Sequence, residues 1–370
     1  MDNAAAVAKK KEPLVRITRR ESMKTYKSVG IRLIAVLLSL IVSAFLIYSI
    51  TKVNPLKVYV SMWNGAFGTA RRSWVTIRDV MMLLCIAVGL APAFKMKFWN
   101  IGAEGQILVG GIATAACMIY LKSLPPWLLF ICMLASSLLA GAIWGLLPAV
   151  FKAKWNTNET LFTLMMNYVA IQLTSFFVAK WENPYGSNTV GVINQTGREG
   201  WFPSIFGQEY MLNVILVMVL TVGMFVYLKY SKQGYEIAVI GDSQNTARYA
   251  GISVRKVVIR TMLISGAICG LSGFLAVSGA SHTISTSTAG GKGFTAIIVA
   301  WLAKFNTFTM IAISLLIVFL EKGAIEIASQ YNLNDYVSSM ITGIILFFIL
   351  GSEFFINYKL IFRSREGGAR

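Results

Sequence analysis

The sequence is poor in charged, acidic and metal-binding residues. Only 14% of its 370 residues are charged, and it has 16 acidic residues, four cysteines and one histidine. The cysteines form no C-x-x-C pair, so neither a zinc nor an iron–sulfur site is predicted. His282 has no nucleophile motif beside it, and the ATP-binding sequence G-x-x-x-x-G-K-[ST] is absent. We therefore predict no catalytic residue, no metal site and no cofactor held by the chain itself.

Apolar residues are abundant instead, and they occur in long runs. They make up 56% of the chain, and runs of about 18 residues suffice to cross a bilayer. The runs are continuous rather than alternating, which favours helices over a closed barrel. The predicted fold class is an all-α polytopic membrane protein with about ten transmembrane helices. They are expected at residues 33–50, 79–96, 105–121, 127–150, 160–179, 211–229, 257–278, 292–304, 308–328 and 337–356.

The charge distribution indicates an orientation. The formal net charge is +18. The basic residues flank apolar runs and do not form the aromatic-rich groove that binds nucleic acid. We therefore expect them to contact membrane lipids and not nucleic acid. Ten spans that begin inside also end inside. The segments then assigned to the cytoplasm carry 24 of the 34 basic residues, as the positive-inside rule requires. Arg71, Arg72 and Arg78, assigned outside, run against this rule. Both termini are predicted to be cytoplasmic.

The chain divides into a basic cytoplasmic arm (1–32), a transmembrane domain (33–356) and a cytoplasmic tail (357–370). The arm is read as leading into an uncleaved first span, because no small-residue cleavage signal follows the apolar run. The longest outer loop, 180–210, contains Trp181 and Trp201. Its aromatic content predicts a small packed cap that could contact a partner.

Two polar segments interrupt the apolar pattern. Asn100–Gln106 places two amides and a carboxylate among small residues, and 285–293 is a run of Ser, Thr, Ala and Gly with Lys292 near its end. Such groups are costly in a bilayer unless they line a cavity or contact protein. Segments two to five and seven to ten have opposite orientations, so we predict an inverted repeat whose broken helices meet near the midplane. The alternative for Asn100–Gln106 is a water-exposed turn capped by Asn100.

The inner loop 230–256 is too polar to span a membrane. Asp242 or Ser243 can cap a helix that runs from about Gln244 to Ala250, and Gly251 can end it in the left-handed conformation. A short capped helix on the inner face could dock into a groove of another protein. The alternative is an ordinary ordered loop.

Side chains inside the spans give two further expectations. Gly141 to Gly145 and Gly266 to Gly270 both read GxxxG, which predicts close helix packing. Glu321, Lys322 and Glu326 lie near the end of the ninth span, where we interpret them as a boundary ion pair rather than a proton path.

Several of these motifs resemble one family. The stretch Phe98 to Gln106 reads Phe-Trp-Asn-Ile-Gly-Ala-Glu-Gly-Gln. It resembles a motif of the permease subunits of nucleoside and simple-sugar ABC importers. These permeases belong to the wider group that includes ribose and branched-chain amino-acid permeases. The segments 241–252, 293–300 and 159–168 look like further family features, so that the resemblance covers about residues 50 to 356. Two features depart from the family pattern: Trp99 enlarges the entry to the motif, and the stretch Trp301 to Lys304 replaces a smaller, glycine-containing one. Both can alter the lining of the pore.

The resemblance implies a function and a set of partners. A cytoplasmic ATPase subunit, carrying ATP and Mg, would drive alternating access in a pair of permeases, either alike or different. An extracytoplasmic lipoprotein would deliver a nucleoside or a related sugar at a bacterial cytoplasmic membrane. The residues expected along the substrate pathway are Asn100, Glu104, Gln106, Asn167, Phe294 and Thr295. The residues expected to couple to the ATPase are Glu236, Gly241, Asn245, Ala247, Ala250, Gly251 and Ile252.

Two other function classes are the alternatives to an importer subunit. An ion-coupled secondary transporter of the same solutes would be stopped by uncouplers and would need no ATPase, but acidic residues within the spans are sparse. An intramembrane enzyme has no visible catalytic constellation. On the importer reading, enlarging Gly251 or Ala247 is expected to abolish transport while the protein stays folded.

Overall fold

The computed structural model describes residues 15–20, 25–52, 54–332 and 335–362, and these are almost entirely helical. The rest of the predicted basic arm and of the tail lies outside the described residues. The elements are β1 (Val15–Arg19), α1 (Thr25–Thr51), α2 (Pro55–Phe67), α3 (Ala70–Lys95), α4 (Ala103–Tyr120), α5 (Pro126–Trp155), α6 (Glu159–Lys180), α7 (Met211–Tyr230), α8 (Lys232–Asp242), α9 (Gln244–Tyr249), α10 (Val254–Ala276), a π-helical turn (Val277–Ser281), α11 (Lys292–Leu302), α12 (Thr307–Gln330), α13 (Asp335–Asn357) and β2 (Tyr358–Phe362).

Within the described ranges, nine helices are long and apolar enough to cross a membrane, which confirms the polytopic all-α class. They coincide with nine of the ten predicted spans. The second span begins at Ala70 rather than at 79, because Thr69 caps the helix by accepting a hydrogen bond from the Arg72 amide at 3.2 Å. Arg71, Arg72 and Arg78 are therefore helical. Helix α2 was not predicted.

The predicted eighth span, 292–304, is only the 11-residue helix α11. A helix of that length rises about 16 Å, roughly half a bilayer. The ring of Trp301 near its end lies 6.3 Å from that of Phe94 near the end of α3. The segment that precedes α11 starts at Ser281, which lines one cavity with Arg78 near the start of α3. The non-helical residues 282–291 and α11 together therefore follow α3 along most of its length.

Contacts divide the chain into two units, Met1–Met62 with Gly323–Arg370, and Trp63–Lys322. In the first unit α1 packs along α13, and Arg32 Nε donates to Glu353 Oε1 at 3.0 Å. Strand β1 pairs antiparallel with β2, with Arg16 opposite Ile361. The described part of the predicted arm is thus paired with the described part of the tail.

The core of the second unit forms around α10, which packs against α3, α4 and α5. Glycines bring the backbones of these helices together. A methyl group added at Gly266 would lie 2.4 Å from the carbonyl oxygen of Gly141, and one added at Gly110 would lie 2.3 Å from that of Gly270. The two GxxxG sequences therefore face each other across α5 and α10, as the close-packing prediction requires.

The prediction of an ion pair near the end of the ninth span is wrong about the partner of Lys322. Lys322 Nζ contacts Asp79 Oδ2 of α3 at 2.6 Å rather than its neighbour Glu321, and Arg78 Nη2 contacts Asp79 Oδ1 at 2.9 Å. Asp79 was overlooked because it stands at the predicted edge of the second span. In the structure it lies nine residues inside α3.

The outer loop forms a packed cap, as its aromatic content predicts. Phe202 is buried and lies 5.0 Å, centroid to centroid, from Phe274 of α10. Trp201 stacks on His282 with ring centroids 3.8 Å apart, and Ile193 N donates to the His282 carbonyl at 2.8 Å. Burial lowers the pKa of His282, so it is mainly neutral at pH 7.

Candidate functional site

The first polar segment forms a non-helical break between α3 and α4. Asn100 is buried there, and its amide pairs reciprocally with that of Gln106 at 3.3 and 3.2 Å. Asn100 Nδ2 also donates to Ser265 Oγ of α10 at 3.2 Å, and Oδ1 accepts from Gly102 N at 3.1 Å. The predicted break is therefore confirmed for 98–102, whereas Glu104 and Gln106 already belong to the first turn of α4. Asn100 is buried, which contradicts the water-exposed turn.

Helix α6 holds this break in place through Asn167. The Asn167 Oδ1 atom accepts from Gly105 N, and Nδ2 donates to the Ile101 carbonyl, both at 2.9 Å. Gly102, at the start of α4, has no side chain to cap the helix. Asn167 supplies that cap from another helix, because the first amides of a helix have no partner within it.

The second polar segment ends where α11 begins, and Glu104 joins it to the first. Glu104 Oε1 accepts from Gly291 N at 2.7 Å, and Oε2 accepts from Gly293 N at 2.9 Å. The side chain is only 9% exposed. A carboxylate at a helix N-terminus satisfies amides and offsets the positive end of the helix dipole. The tertiary structure thus brings together the two segments that the sequence marked as broken.

Glycine is required at this contact. A methyl group added at Gly293 would lie 2.7 Å from both Glu104 N and Glu104 Oε2. Gly291 has φ +75°, in the left-handed region that glycine adopts at little cost. We call the contact of Glu104 with Gly291 and Gly293 the crossing. Its short distances depend on both glycines.

Aromatic side chains of the break and of α11 are exposed, whereas the amide side chains near the crossing are enclosed. Asn100, Gln106 and Asn167 are buried, and Thr295 Oγ1 donates to the Gly291 carbonyl at 3.3 Å. Phe294 is 44% exposed. The two aromatic departures from the family pattern stack on each other, with centroids 5.3 Å apart and exposures of 43% for Trp99 and 45% for Trp301. In this conformation the aromatic groups are open to a solute and Thr295 is half-buried. Direct contact of a solute with the amides stays a prediction.

The inner loop contains the predicted helix and one more. Ser243 Oγ accepts from Thr246 N at 3.3 Å to start α9, and Gly251 follows its end with φ +75°. Helix α8 was read as loop because glycines stand near both of its ends. Ser231 could have revealed it, since its side chain accepts from Gly234 N at 2.9 Å as an N-cap.

The predicted coupling residues fall into an inward and an outward set. Ala247 is fully buried, and a methyl group added at Gly241 would lie 2.1 Å from the Lys95 carbonyl at the end of α3. Glu236 pairs with Arg260 at 2.9 Å, and Ile252 is half-buried. A bulky residue at Ala247 would therefore disturb the packing of α9 itself. The exposed members are Asn245, Ala250 and Gly251.

Sequence reasoning missed the largest side chain on the exposed face of α9. Tyr249 is 94% exposed, and Arg248 beside it is exposed as well. Helical spacing could have predicted that Tyr249 is exposed, because a residue two positions from a buried alanine points away from the packed side of the helix. Arg248 also lines a groove of about 470 Å³ with Lys152, Lys154 and Arg255.

Among the residues that the structure describes, no three histidine, cysteine or acidic side chains lie close enough together to hold a metal ion. The four cysteines are free. The geometry offers two interrupted helices joined at a buried carboxylate, and an exposed short helix, α9, that is linked to the end of α3 through α8. Such an arrangement can transmit movement between a surface and an internal contact.

Comparison with known proteins gives one family and several relatives. The family model for the permease component of branched-chain amino acid transport systems matches residues 75–350. A guanosine ABC transporter permease protein of Bacillus subtilis is 29% identical over 324 residues, covering 86% of this chain and 92% of the relative. A glucose permease of this type from Haloferax volcanii is 26% identical over 361 residues, covering 92% of each chain. A nucleoside permease of Lactococcus lactis is 25% identical over 332 residues, covering 87% of this chain and 91% of the relative.

Proposed function

The chain belongs to the family of permease components of branched-chain amino acid transport systems, and from this premise we propose that it moves nucleosides, or a related simple sugar, through an ATP-driven importer. Two of the relatives named above carry guanosine or nucleoside in their names, and one carries glucose. The chain is the non-catalytic membrane subunit. The observation that carries the mechanism is the crossing, where both broken segments meet at one carboxylate.

Movement reaches the crossing through contacts within the second unit. An ATPase subunit docks on the exposed face of α9, and α8 follows because the two helices are joined through Ser243. Gly241 of α8 lies against the carbonyl of Lys95 at the end of α3. The break at Asn100–Gly102 begins five residues later, and Glu104 then contacts α11. A displacement of α9 is thus passed to α11 without crossing a flexible linker.

The proposal includes the other partners that the family resemblance implies. ATP and Mg are bound by the ATPase and not by this chain. A second permease, identical or different, completes the path, and a substrate-binding lipoprotein docks on the outer cap. The termini and the loop that contains α8 and α9 face the cytoplasm of a bacterial cell. This orientation agrees with the distribution of basic residues.

The test of this function is ATP-dependent uptake by the isolated complex. The chain is purified with its co-purifying subunits and reconstituted in vesicles, and uptake of labelled guanosine and glucose is measured with and without internal ATP. We expect uptake that requires ATP and resists uncouplers. Uptake by the chain alone, driven by an ion gradient without ATP, would instead identify a secondary transporter.

Docking on α9 gives a separate prediction for Tyr249. Tyr249→Ala is expected to weaken co-purification of the ATPase by at least about tenfold, because exposed tyrosines often anchor interfaces. The chain itself should remain folded, since Tyr249 packs against almost nothing. Tyr185→Ala is the matched control, because Tyr185 is 96% exposed on the outer loop. Equal ATPase recovery from both variants would place the docking surface elsewhere.

A further inference from the structure

A second polar feature lies next to the crossing and is distinct from the contact of Glu104 with Gly291 and Gly293. It is a cavity of about 290 Å³ between α3, the end of α10 and the segment that leads into α11. Its lining includes Asp79, Ser281, Thr283, Ser285, Thr288 and Lys292. We call it the hydroxyl cavity. Asp79 stands nine residues into α3, about 14 Å from the start of that helix.

Asp79 is buried, and a buried charged group is costly unless it is paired or faces a hydrated or ligand-filled space. The Oδ1 atom of Asp79 accepts from Arg78 Nε at 3.0 Å and from Arg78 Nη2 at 2.9 Å, and Lys322 Nζ lies 2.6 Å from Oδ2. A carboxylate offers about four acceptor positions, so these three contacts leave one position, on Oδ2. Because Asp79 lines the cavity, that position is available to a ligand.

Lys292 supplies a donor that the protein does not use. Within the described ranges its ammonium group has no hydrogen-bond or ion-pair partner. It stands at the first residue of α11, where a positive charge meets the positive end of the helix dipole. Within the described residues Glu104 forms no ion pair with Lys292, and its two carboxylate oxygens accept the amides of Gly291 and Gly293. The Asp79 carboxylate lines the same cavity and attracts this positive charge, while the donors of the ammonium group stay open to an acceptor on a ligand.

The hydroxyl groups complete a mixed donor and acceptor surface. Thr283 Oγ1 has no hydrogen-bond partner in the part of the chain that the structure describes. Thr288 Oγ1 accepts from Ser285 N at 2.8 Å, and the Ser285 and Ser287 hydroxyls lie 3.0 Å apart. Each of these hydroxyls can still donate or accept another bond. Sugar hydroxyls also donate and accept, so the cavity matches a polyhydroxylated ligand.

We propose that the hydroxyl cavity binds the sugar hydroxyls of the transported solute, with Lys292 and Thr283 in direct contact and Asp79 as an acceptor. The choice of a nucleoside or sugar rests on the proposed function. The cavity lies beside the start of α3 and the packed cap, so a solute reaches it before it reaches the crossing.

The experiment uses the reconstituted complex with its ATPase and binding protein, at saturating loaded binding protein so that the affinity of that protein does not limit uptake. Initial rates are compared for guanosine and 2′,3′-dideoxyguanosine, and for glucose and 2-deoxyglucose. Lys292→Met and Thr283→Val are expected to slow uptake of the hydroxylated member of a transported pair by roughly tenfold, about the effect of one lost hydrogen bond to a charged group. The deoxy member should change much less, and Lys292→Arg and Thr283→Ser should restore the rate.

Lys122→Met is the control, because Lys122 is exposed just beyond α4 and far from any lining residue in the sequence. ATPase stimulation by the loaded binding protein shows that each variant still assembles. An equal loss of uptake rate for both solutes of a pair, or no loss, overturns the assignment. The charged residues of the cavity would then have only a structural role, as an ion-pair network. If glucose is carried and guanosine is not, the nucleoside proposal fails and the glucose pair still tests the cavity. If the wild-type complex carries neither, both proposals are wrong.

Discussion

Replacing Glu104 by alanine is expected to reduce ATP-driven uptake by more than tenfold and to lower the stability of the folded chain. The change removes two charge-assisted hydrogen bonds to Gly291 and Gly293, each worth about 1.5–3 kcal/mol. It also leaves two amides at the start of α11 without partners in an enclosed place. Uptake into vesicles and thermal unfolding in detergent measure the two effects.

Glu104→Gln separates charge from hydrogen bonding. Its remaining carbonyl oxygen can accept from one amide, but its NH₂ group faces the other amide donor to donor. We therefore expect a defect smaller than that of Glu104→Ala and larger than zero. Glu321→Gln is the matched control, because Glu321 is an exposed carboxylate on α12. Wild-type uptake and stability in Glu104→Ala would show that the crossing is dispensable.

Gly270→Ala is expected to abolish most of the folded protein. The added methyl group would lie 2.4 Å from the Ser137 carbonyl and 2.9 Å from Gly141 Cα. Backbone atoms on both sides belong to long helices and cannot move aside as a flexible side chain can. Overpacking in a core costs about 1–3 kcal/mol, and a clash with a backbone carbonyl belongs at or above the upper end of that range.

The yield of monodisperse protein after solubilisation, and its half-life on heating, are the measurements for Gly270. Gly223→Ala in α7 is the control, because a methyl group added there meets nothing within 4 Å. Alanine is also the better helix former, so this variant should be as stable as the wild type or more so. Similar yields for the two variants would mean that α5 and α10 are less closely packed than the structure has them.

The sequence alone determined the features that depend on local composition. Runs of apolar residues identify the spans wherever the helix is long enough to cross, because burial in lipid demands about twenty such residues. Polar and glycine-rich stretches marked both breaks, at Asn100–Gly102 and before Lys292. Ser243 and Gly251 predicted α9, because capping depends on residues only a few positions apart. The motif around Asn100 pointed to the permease family, which the comparison with known proteins confirmed.

Only the tertiary structure decided which distant residues meet. Glu104 and Gly291 are 187 residues apart, and no local pattern joins a carboxylate to those amides. The same holds for Lys322, which contacts Asp79 rather than the acidic residue beside it. The buried side of α9 follows from its packing, so Ala247 faces inward and Tyr249 outward. Local sequence determines where a helix begins, ends or breaks. The partner of a buried polar group depends instead on how the whole chain packs, because a polar group left unpaired in an apolar surrounding is costly.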